Sequence, residues 1–291
     1  MRIVTRISRK QWFASGVILA LLGLASGLAV YQFGMSKPVA TPTIIVRRVP
    51  ELPTEPLAAA WRRVSAVVLP LAAVSTPNAP ARQVSVQALT DGKQMAIRLE
   101  WQDTTRDVLT LRPQDFGDQA AMMLSAQLAN ACMGQVDVPV NIWQWKADWQ
   151  SGTRDMAAAF PNMYTDGFTG DDGKPLLTED LFTRPAFTVG NARAAAAKAV
   201  PVEHLVAGGF STLTAANDNN PATGRGAYDE GKWAVVFTRP LDAGTPGDVA
   251  LAAQAPLQSA FAVWDGHQMQ RDGMKYVTAW AVLQLEAAPK Q

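Results

Sequence analysis

Apolar and polar side chains alternate through Val84-Ser85-Val86-Gln87-Ala88-Leu89, pause at Thr90-Asp91-Gly92-Lys93, and alternate again through Met95-Ala96-Ile97-Arg98-Leu99-Glu100-Trp101. A period of two puts every second side chain on one face of a strand, and Asp-Gly supplies a tight reversal, so the segment predicts a β-hairpin. An apolar face of this kind has to be buried against another layer. Further short runs bounded by Gly, Pro or Asp predict strands at Ala120–Ala126, Val140–Trp145, Trp233–Phe237, Ala260–Trp264 and Val277–Leu285. Short strands without alternating amphipathic helices point to an all-β fold, a jelly-roll-like β-sandwich, rather than to α/β. Ala192–Ala199 is the one obvious short helix. Between Gln150 and Lys232 the chain is rich in Gly, Asp, Asn and Pro, which predicts long loop insertions at one end of the sandwich, where function tends to reside.

The amino terminus has a different character. Gln11 to Met35 contains no charged residue, and roughly 20 apolar residues cross a bilayer, so residues 11–35 are expected to form a transmembrane helix. Arg2, Arg6, Arg9 and Lys10 precede it and only Lys37 follows closely. The positive-inside rule then leaves residues 1–10 in the cytoplasm and sends the rest across, into the periplasm of a bacterium. The run is longer than the ~7–15 apolar residues of a cleavable signal, which favours a retained single-pass anchor in the inner membrane. Pro38, Pro42, Pro50, Pro53 and Pro56 make residues 36–56 an expected semi-extended linker, with the folded domain over residues 57–291.

Composition removes whole classes of function. The formal net charge of +1 implies no basic surface for a phosphate backbone, so nucleic acid is not an expected partner. One Cys and two His provide no CxxCH haem attachment, no iron–sulfur cluster and no Cys/His zinc site. No GxSxG, GxxxxGK[ST] or HExxH run is present. The acidic loop residues Asp171, Asp172, Glu179 and Asp180 read more simply as turns than as paired catalytic carboxylates.

Two segments stand out: Cys132-Met133-Gly134 followed by Val140-Asn141-Ile142-Trp143-Gln144-Trp145-Lys146-Ala147-Asp148-Trp149, and Phe261-Ala262-Val263-Trp264-Asp265-Gly266 followed by Arg271-Asp272-Gly273-Met274-Lys275. Taken alone they are aromatic-rich strands joined by turns. Together with GKWAVVFTRPL and IRLEWQDTT, their wording and order resemble the haem-b-binding γ subunits that accompany molybdenum enzymes such as ethylbenzene dehydrogenase, and those acting on dimethyl sulfide, chlorate and selenate. The resemblance runs from about Leu57 to Leu285 and is thin through Gln150–Lys232. It implies a β-sandwich holding one non-covalent haem b with a Met and a Lys as axial ligands, which by position are Met133 and Lys275. Trp143, Trp145 and Trp264 are then candidate walls of the cofactor site. Methionine sulfur is a soft neutral ligand associated with raised haem potentials. A lysine coordinates only as the neutral amine, which calls for a desolvated pocket and the iron's own charge.

Other residues compete for these roles. Lys232 lies beside a strand start, Met122 and Met123 lie in a strand, and His267 and His204 carry the commonest haem-ligating side chain. Lys146 follows Trp145 and is expected on the opposite strand face. Two axial protein ligands leave iron no open position, so the expected role is electron transfer rather than catalysis. Expected partners are molybdenum/iron–sulfur oxidoreductase subunits, a c-type cytochrome or a quinone-linked membrane protein. The contrasting reading is a carbohydrate- or surface-binding sandwich without haem, its nine Trp including exposed platforms for sugar rings.

Overall fold

The computed structural model describes residues 41–75, 79–110, 114–130, 133–151, 200–209, 212–216, 221–242, 248–251 and 256–287. The expected anchor at 11–35, the helical run Ala192–Ala199, Cys132 and the loop acids Asp171, Asp172, Glu179 and Asp180 lie outside these residues. Among the described residues no helix is long and apolar enough to cross a membrane.

Among the described residues there are thirteen strands: β1 (Thr43–Arg48), β2 (Val67–Val74), β3 (Arg82–Thr90), β4 (Gln94–Gln102), β5 (Gln119–Ser125), β6 (Val140–Lys146), β7 (Val202–Ala207), β8 (Thr214–Ala215), β9 (Thr223–Asp229), β10 (Lys232–Pro240), β11 (Leu257–Trp264), β12 (Lys275–Val277) and β13 (Ala281–Leu285). A 3₁₀ turn at Ala59–Arg63 and one helix, α1 (Ala147–Ser151), complete the described elements. The first sheet runs β8-β7-β6-β5-β11, with β12 and β13 both antiparallel to β11. The second runs β2-β3-β4-β10-β9. Two strands turn the corner between them. β2 pairs with β3 through Val67–Leu71 and with β12 through Ala72–Val74. β1 lies parallel to β13 through Thr43–Val46 and then to β3 through Arg47–Arg48.

The hairpin forms as its alternation requires, with Leu89 opposite Ala96 and Val86 opposite Leu99. Asp91 closes the turn by accepting the Lys93 and Gln94 amides at 2.8 and 2.7 Å, while Gly92 takes φ 89°. Two expectations are corrected. The segment 36–56 is not wholly a linker, because β1 adds to both sheets and buries Ile44 and Val46 in the core. The single strand expected over Val277–Leu285 divides in two, because Thr278 leaves the ladder. Its amide donates to Phe261 O at 2.9 Å, and its hydroxyl accepts the Phe261 amide at 3.0 Å.

The two sheets enclose one aromatic core. Trp145 of β6 meets Trp233 of β10 edge-on, with ring centroids 5.0 Å apart, and Trp233 stacks on Trp101 of β4 at 6.4 Å. The approach is close enough to demand glycine opposite. A Cβ on Gly226 of β9 would sit 2.2 Å from the Trp145 ring, and one on Gly224 would sit 2.6 Å from Val202. Gln150 of α1 locks the contact: its Oε1 accepts Trp145 Nε1–H at 2.9 Å and the Gly226 amide at 2.6 Å, and its Nε2 donates to Gly226 O at 2.7 Å.

Gly226→Ala is therefore expected to destabilise the domain by about 1–3 kcal/mol through overpacking. Gly273→Ala, where an added Cβ meets nothing within 4 Å, is expected to be neutral. Urea unfolding of both variants beside the wild type measures the difference.

Candidate functional site

The pleat of the first sheet sorts its side chains into two populations. Toward the core point Met122 and Leu124 of β5, Trp143 and Trp145 of β6, Phe261 and Val263 of β11, and Tyr276 of β12. On the other face Ala121, Ala262 and Trp264 pack together with Ile142 and Val277. Ala121 and Ala262 are direct cross-strand partners, and beside them Met123 pairs with Ala260. Small side chains opposite one another leave a shallow apolar floor, with Trp264 at its β11 end.

Met133 borders this floor. It packs against the cluster of Ala129, Val140 and Ala207, as Met123, Ile142 and Trp280 also do, so Ile142 touches both apolar groups of the face. Its backbone is left-handed, φ 70°, and Gly134 follows at φ 79°. A non-glycine residue held there costs about 1–3 kcal/mol, and such strain persists only where the surroundings impose it. The surroundings are visible. The Gly209 amide donates to Met133 O at 2.9 Å, and the Gly134 amide donates to Asn130 O at 2.9 Å. A Cβ on Gly134 would lie 3.0 Å from Val138 O and 3.1 Å from Ala207 O. The Met-Gly pair is thus a tight reversal pressed against β7.

Lys275 opens β12, three strands from β6 across the same sheet. It is half-buried, and its Nζ lies 5.0 Å from the centroid of the Trp264 ring. Trp264 is held in turn by its Nε1–H, which donates to Asp272 O at 3.2 Å. Met133, Trp264 and Lys275 therefore border one apolar face.

Trp143 and Trp145 do not join them. Both are fully buried between the sheets, on the opposite side of β6, for the period-two reason that sends Ile142 outward. Met122 is likewise internal, whereas Met123 lies on the outer face near Met133. Lys146 does project away from Trp145, and is occupied by a short ion pair to Glu203 and by the Trp149 ring 4.3 Å away. Lys232 is exposed in the second sheet opposite Gln102. His267 is exposed in the turn after β11. His204 is fully buried on the core side of β7, its Nε2 2.9 Å from Asp248, with Arg239 3.5 Å from the same carboxylate.

One residue that the motifs did not single out belongs to the outer face. Trp280 packs against the same Ala129–Val140–Ala207 cluster as Met133, and its buried Nε1–H has no hydrogen-bond partner. It sits in the irregular link between β12 and β13, where no strand alternation marks a facing. Two hollows elsewhere, about 360 Å³ lined by Arg106, Gln150 and Tyr228 and about 310 Å³ lined by Trp61, Arg98 and Glu100, include none of Met133, Trp264 and Lys275.

A sandwich with this motif order defines a family, and residues 58–276 match the model of the ethylbenzene dehydrogenase family. The chain belongs to that family. It is 27% identical over 91% of its length to a protein named as a respiratory nitrate reductase haem subunit of Haloferax mediterranei, covering 79% of that protein. It is 29% identical over 72% of its length to the γ subunit of dimethylsulfide dehydrogenase of Rhodovulum sulfidophilum, covering 64% of it. It is 25% identical over 69% of its length to the γ subunit of chlorate reductase of Ideonella dechloratans, also covering 64%. A solved carbohydrate-binding protein of Bacteroides uniformis superposes with a TM-score of 0.46 at 7% identity, over 85% of this chain and all of that one. That likeness is too weak to bear on function.

His204 yields a pH prediction. Burial pulls its pKa below the ordinary 6.5, against the opposing pull of Asp248 and with the help of Arg239. Its contribution to stability is complete above the unfolded value of ~6.5 and is lost as pH falls below it, because the unfolded chain then binds the proton more readily. His204→Gln is expected to lose less stability than the wild type between pH 7.5 and pH 5.5, measured by urea unfolding at both.

Proposed function

We propose that this chain is a haem-b electron-transfer subunit, carrying one non-covalent haem on the outer face of the first sheet with Met133 and Lys275 as axial ligands. The observation that carries this reading is the convergence of Met133, Trp264 and Lys275 on one apolar face of a domain from a family with haem-subunit relatives. The face fits such a group in three ways. Ala121, Ala260 and Ala262 carry only methyl groups on this face, an apolar surface of the kind a flat apolar molecule packs against. Met133 is held in a left-handed backbone outside any strand, the kind of local strain that collects at ligand sites. Trp280 offers a buried, unpartnered N–H, a donor suited to a carboxylate such as a propionate.

When bound, the haem supplies a one-electron couple, and a methionine ligand favours a raised potential. The remaining work falls to the protein. Met133 presents a neutral sulfur. Lys275 would have to present its amine without the proton, which the iron's own charge favours, and the Trp264 ring 5.0 Å from Nζ fixes where that amine stands. Trp264 itself is kept in place by Asp272 O. Electrons then pass to or from a redox partner, of which molybdenum/iron–sulfur oxidoreductase subunits are the leading candidates, ahead of a c-type cytochrome or a quinone-linked membrane protein. Catalysis belongs to the partner. Residues 11–35 anchor the protein in the inner membrane, with the domain in the periplasm.

The sugar-binding alternative lacks its instrument. Among the described residues Trp61, Trp101, Trp143, Trp145, Trp233 and Trp264 are buried, and Trp149 and Trp280 are half-buried, so none stands out as an exposed platform.

The test is the reduced-minus-oxidised visible spectrum of the full-length protein produced with export and haem supply. A low-spin b-type spectrum is expected, and Met133→Ala and Lys275→Ala are each expected to abolish the low-spin form and weaken haem binding at least about tenfold. His267→Ala and Lys232→Ala are expected to leave it unchanged. Trp143→Phe should lower stability without changing the spectrum. A folded wild type that stays colourless in excess haem contradicts the proposal.

A further inference from the structure

Three aspartates that no electron-transfer role requires converge at one end of the sandwich. Asp103 follows the last residue of β4, Asp118 precedes β5, and Asp265 follows β11, so both sheets contribute. Each is buried, with exposures of 2%, 0% and 4%, and one carboxylate oxygen from each lies within 4.8 Å of the others. Most of their oxygens are engaged. Asp118 Oδ1 accepts the Gly266 amide at 2.9 Å, and its Oδ2 accepts the Asp107 amide at 2.7 Å and Trp233 Nε1–H at 2.9 Å. Asp265 Oδ2 accepts from Arg82 Nη2 at 2.6 Å and from Gln268 Nε2 at 2.9 Å, and its Oδ1 accepts the Gln268 amide at 3.1 Å. Asp103 Oδ1 accepts the Thr105 amide and hydroxyl, both at 3.2 Å.

Asp103 Oδ2 has no partner at all, and a buried carboxylate oxygen without one is expensive. Asp107 adds a second orphan, its buried Oδ2. Against these four acids stands Arg82, paired to Asp265 alone. The fold nevertheless builds this arrangement with care. A Cβ on Gly266 would lie 2.1 Å from Phe116 O, so only glycine lets that amide reach Asp118.

We propose that Asp103, Asp118 and Asp265 form a divalent cation site, of calcium type, which ties together the ends of β4, β5 and β11. The donor set is all oxygen, which suits a hard ion and not zinc or copper. Hydration then separates calcium from magnesium. Magnesium gives up its waters reluctantly and is seldom held in an all-protein cage, whereas calcium takes several carboxylate and carbonyl oxygens in flexible geometry, which suits three buried carboxylates whose oxygens lie within 4.8 Å of one another. Burial also pushes the Asp103 carboxyl up to about 6 and that of Asp118 up to about 7, the cost of crowded charge that a bound cation offsets. Because Asp265 directly follows Trp264, the ion would steady the β11 end of the outer face.

The experiment uses the full-length protein stripped with EDTA and then supplied with CaCl2 or MgCl2 at constant ionic strength, read by thermal unfolding. Calcium at about a hundred times its dissociation constant is expected to raise Tm by about 5–10 °C, and magnesium by much less. TbCl3 provides a second reading, because Trp233 touches Asp118 and is placed to sensitise Tb³⁺ emission. Asp103→Asn removes one charge and keeps the shape. It is expected to lose the calcium shift and most of the Tb³⁺ emission, yet to melt no lower than the wild type in EDTA. The proposal is overturned if CaCl2 leaves the wild-type Tm where EDTA leaves it, or if Asp103→Asn responds to calcium as the wild type does. Neither readout involves haem, so a colourless protein with an intact calcium response would leave this site standing.

Discussion

The indole of Trp145 resting on Gly226 sets the geometry on which everything else depends. The approach leaves no space for a Cβ, which would fall 2.2 Å from the ring, and Gln150 bonds to both partners. In a strand a slip of one residue exchanges the faces, so seating Trp145 in the core decides the facing of every other side chain on β6 and, through the ladder, on β5 and β11. Ile142, Met123, Ala121, Ala262 and Trp264 are thereby sent outward. The core thus fixes which residues are offered to a ligand without itself taking part.

Around that outer face the local structure is unusually constrained at both ends. Met133 is held left-handed by backbone bonds from the β7 side, and Gly134 is glycine because two carbonyls leave no room for a side chain. Lys275 emerges from a turn in which Asp265 accepts from Gln268 and Gln270 accepts from nothing larger than the chain's own reversal, its Oε1 taking the Asp265 amide at 3.0 Å. Side chains positioned by backbone and second contacts in this way need little rearrangement to meet a bound group.

Much of this was legible in the sequence, for identifiable reasons. The hairpin β3–β4 was explicit because one face is core and the other is more polar, so the alternation survives. β7 was not seen: Val202-Glu203-His204-Leu205-Val206-Ala207 is buried on nearly every residue, its polar side chains paired with Lys146 and Asp248, and no alternation remains. β9 was hidden because Gly224 and Gly226 read as turn residues when they are clearances for Val202 and Trp145. In the candidate site, Met133, Trp264 and Lys275 were named by family motif and share a face. Trp143 and Trp145 were named by the same motif and belong to the core, a distinction already contained in their odd spacings, one and three residues, from Ile142. Trp280 and the Asp103–Asp118–Asp265 cluster carried no local signal, since their neighbours are made by the fold and not by the chain order.

The central claim concerns which atoms hold the iron, and X-ray absorption at the iron edge of the haem-loaded full-length protein addresses it most directly. The account predicts one sulfur and five nitrogens in the first coordination sphere, with the sulfur absent from Met133→Ala. A sphere of nitrogen and oxygen alone in the wild type would contradict it.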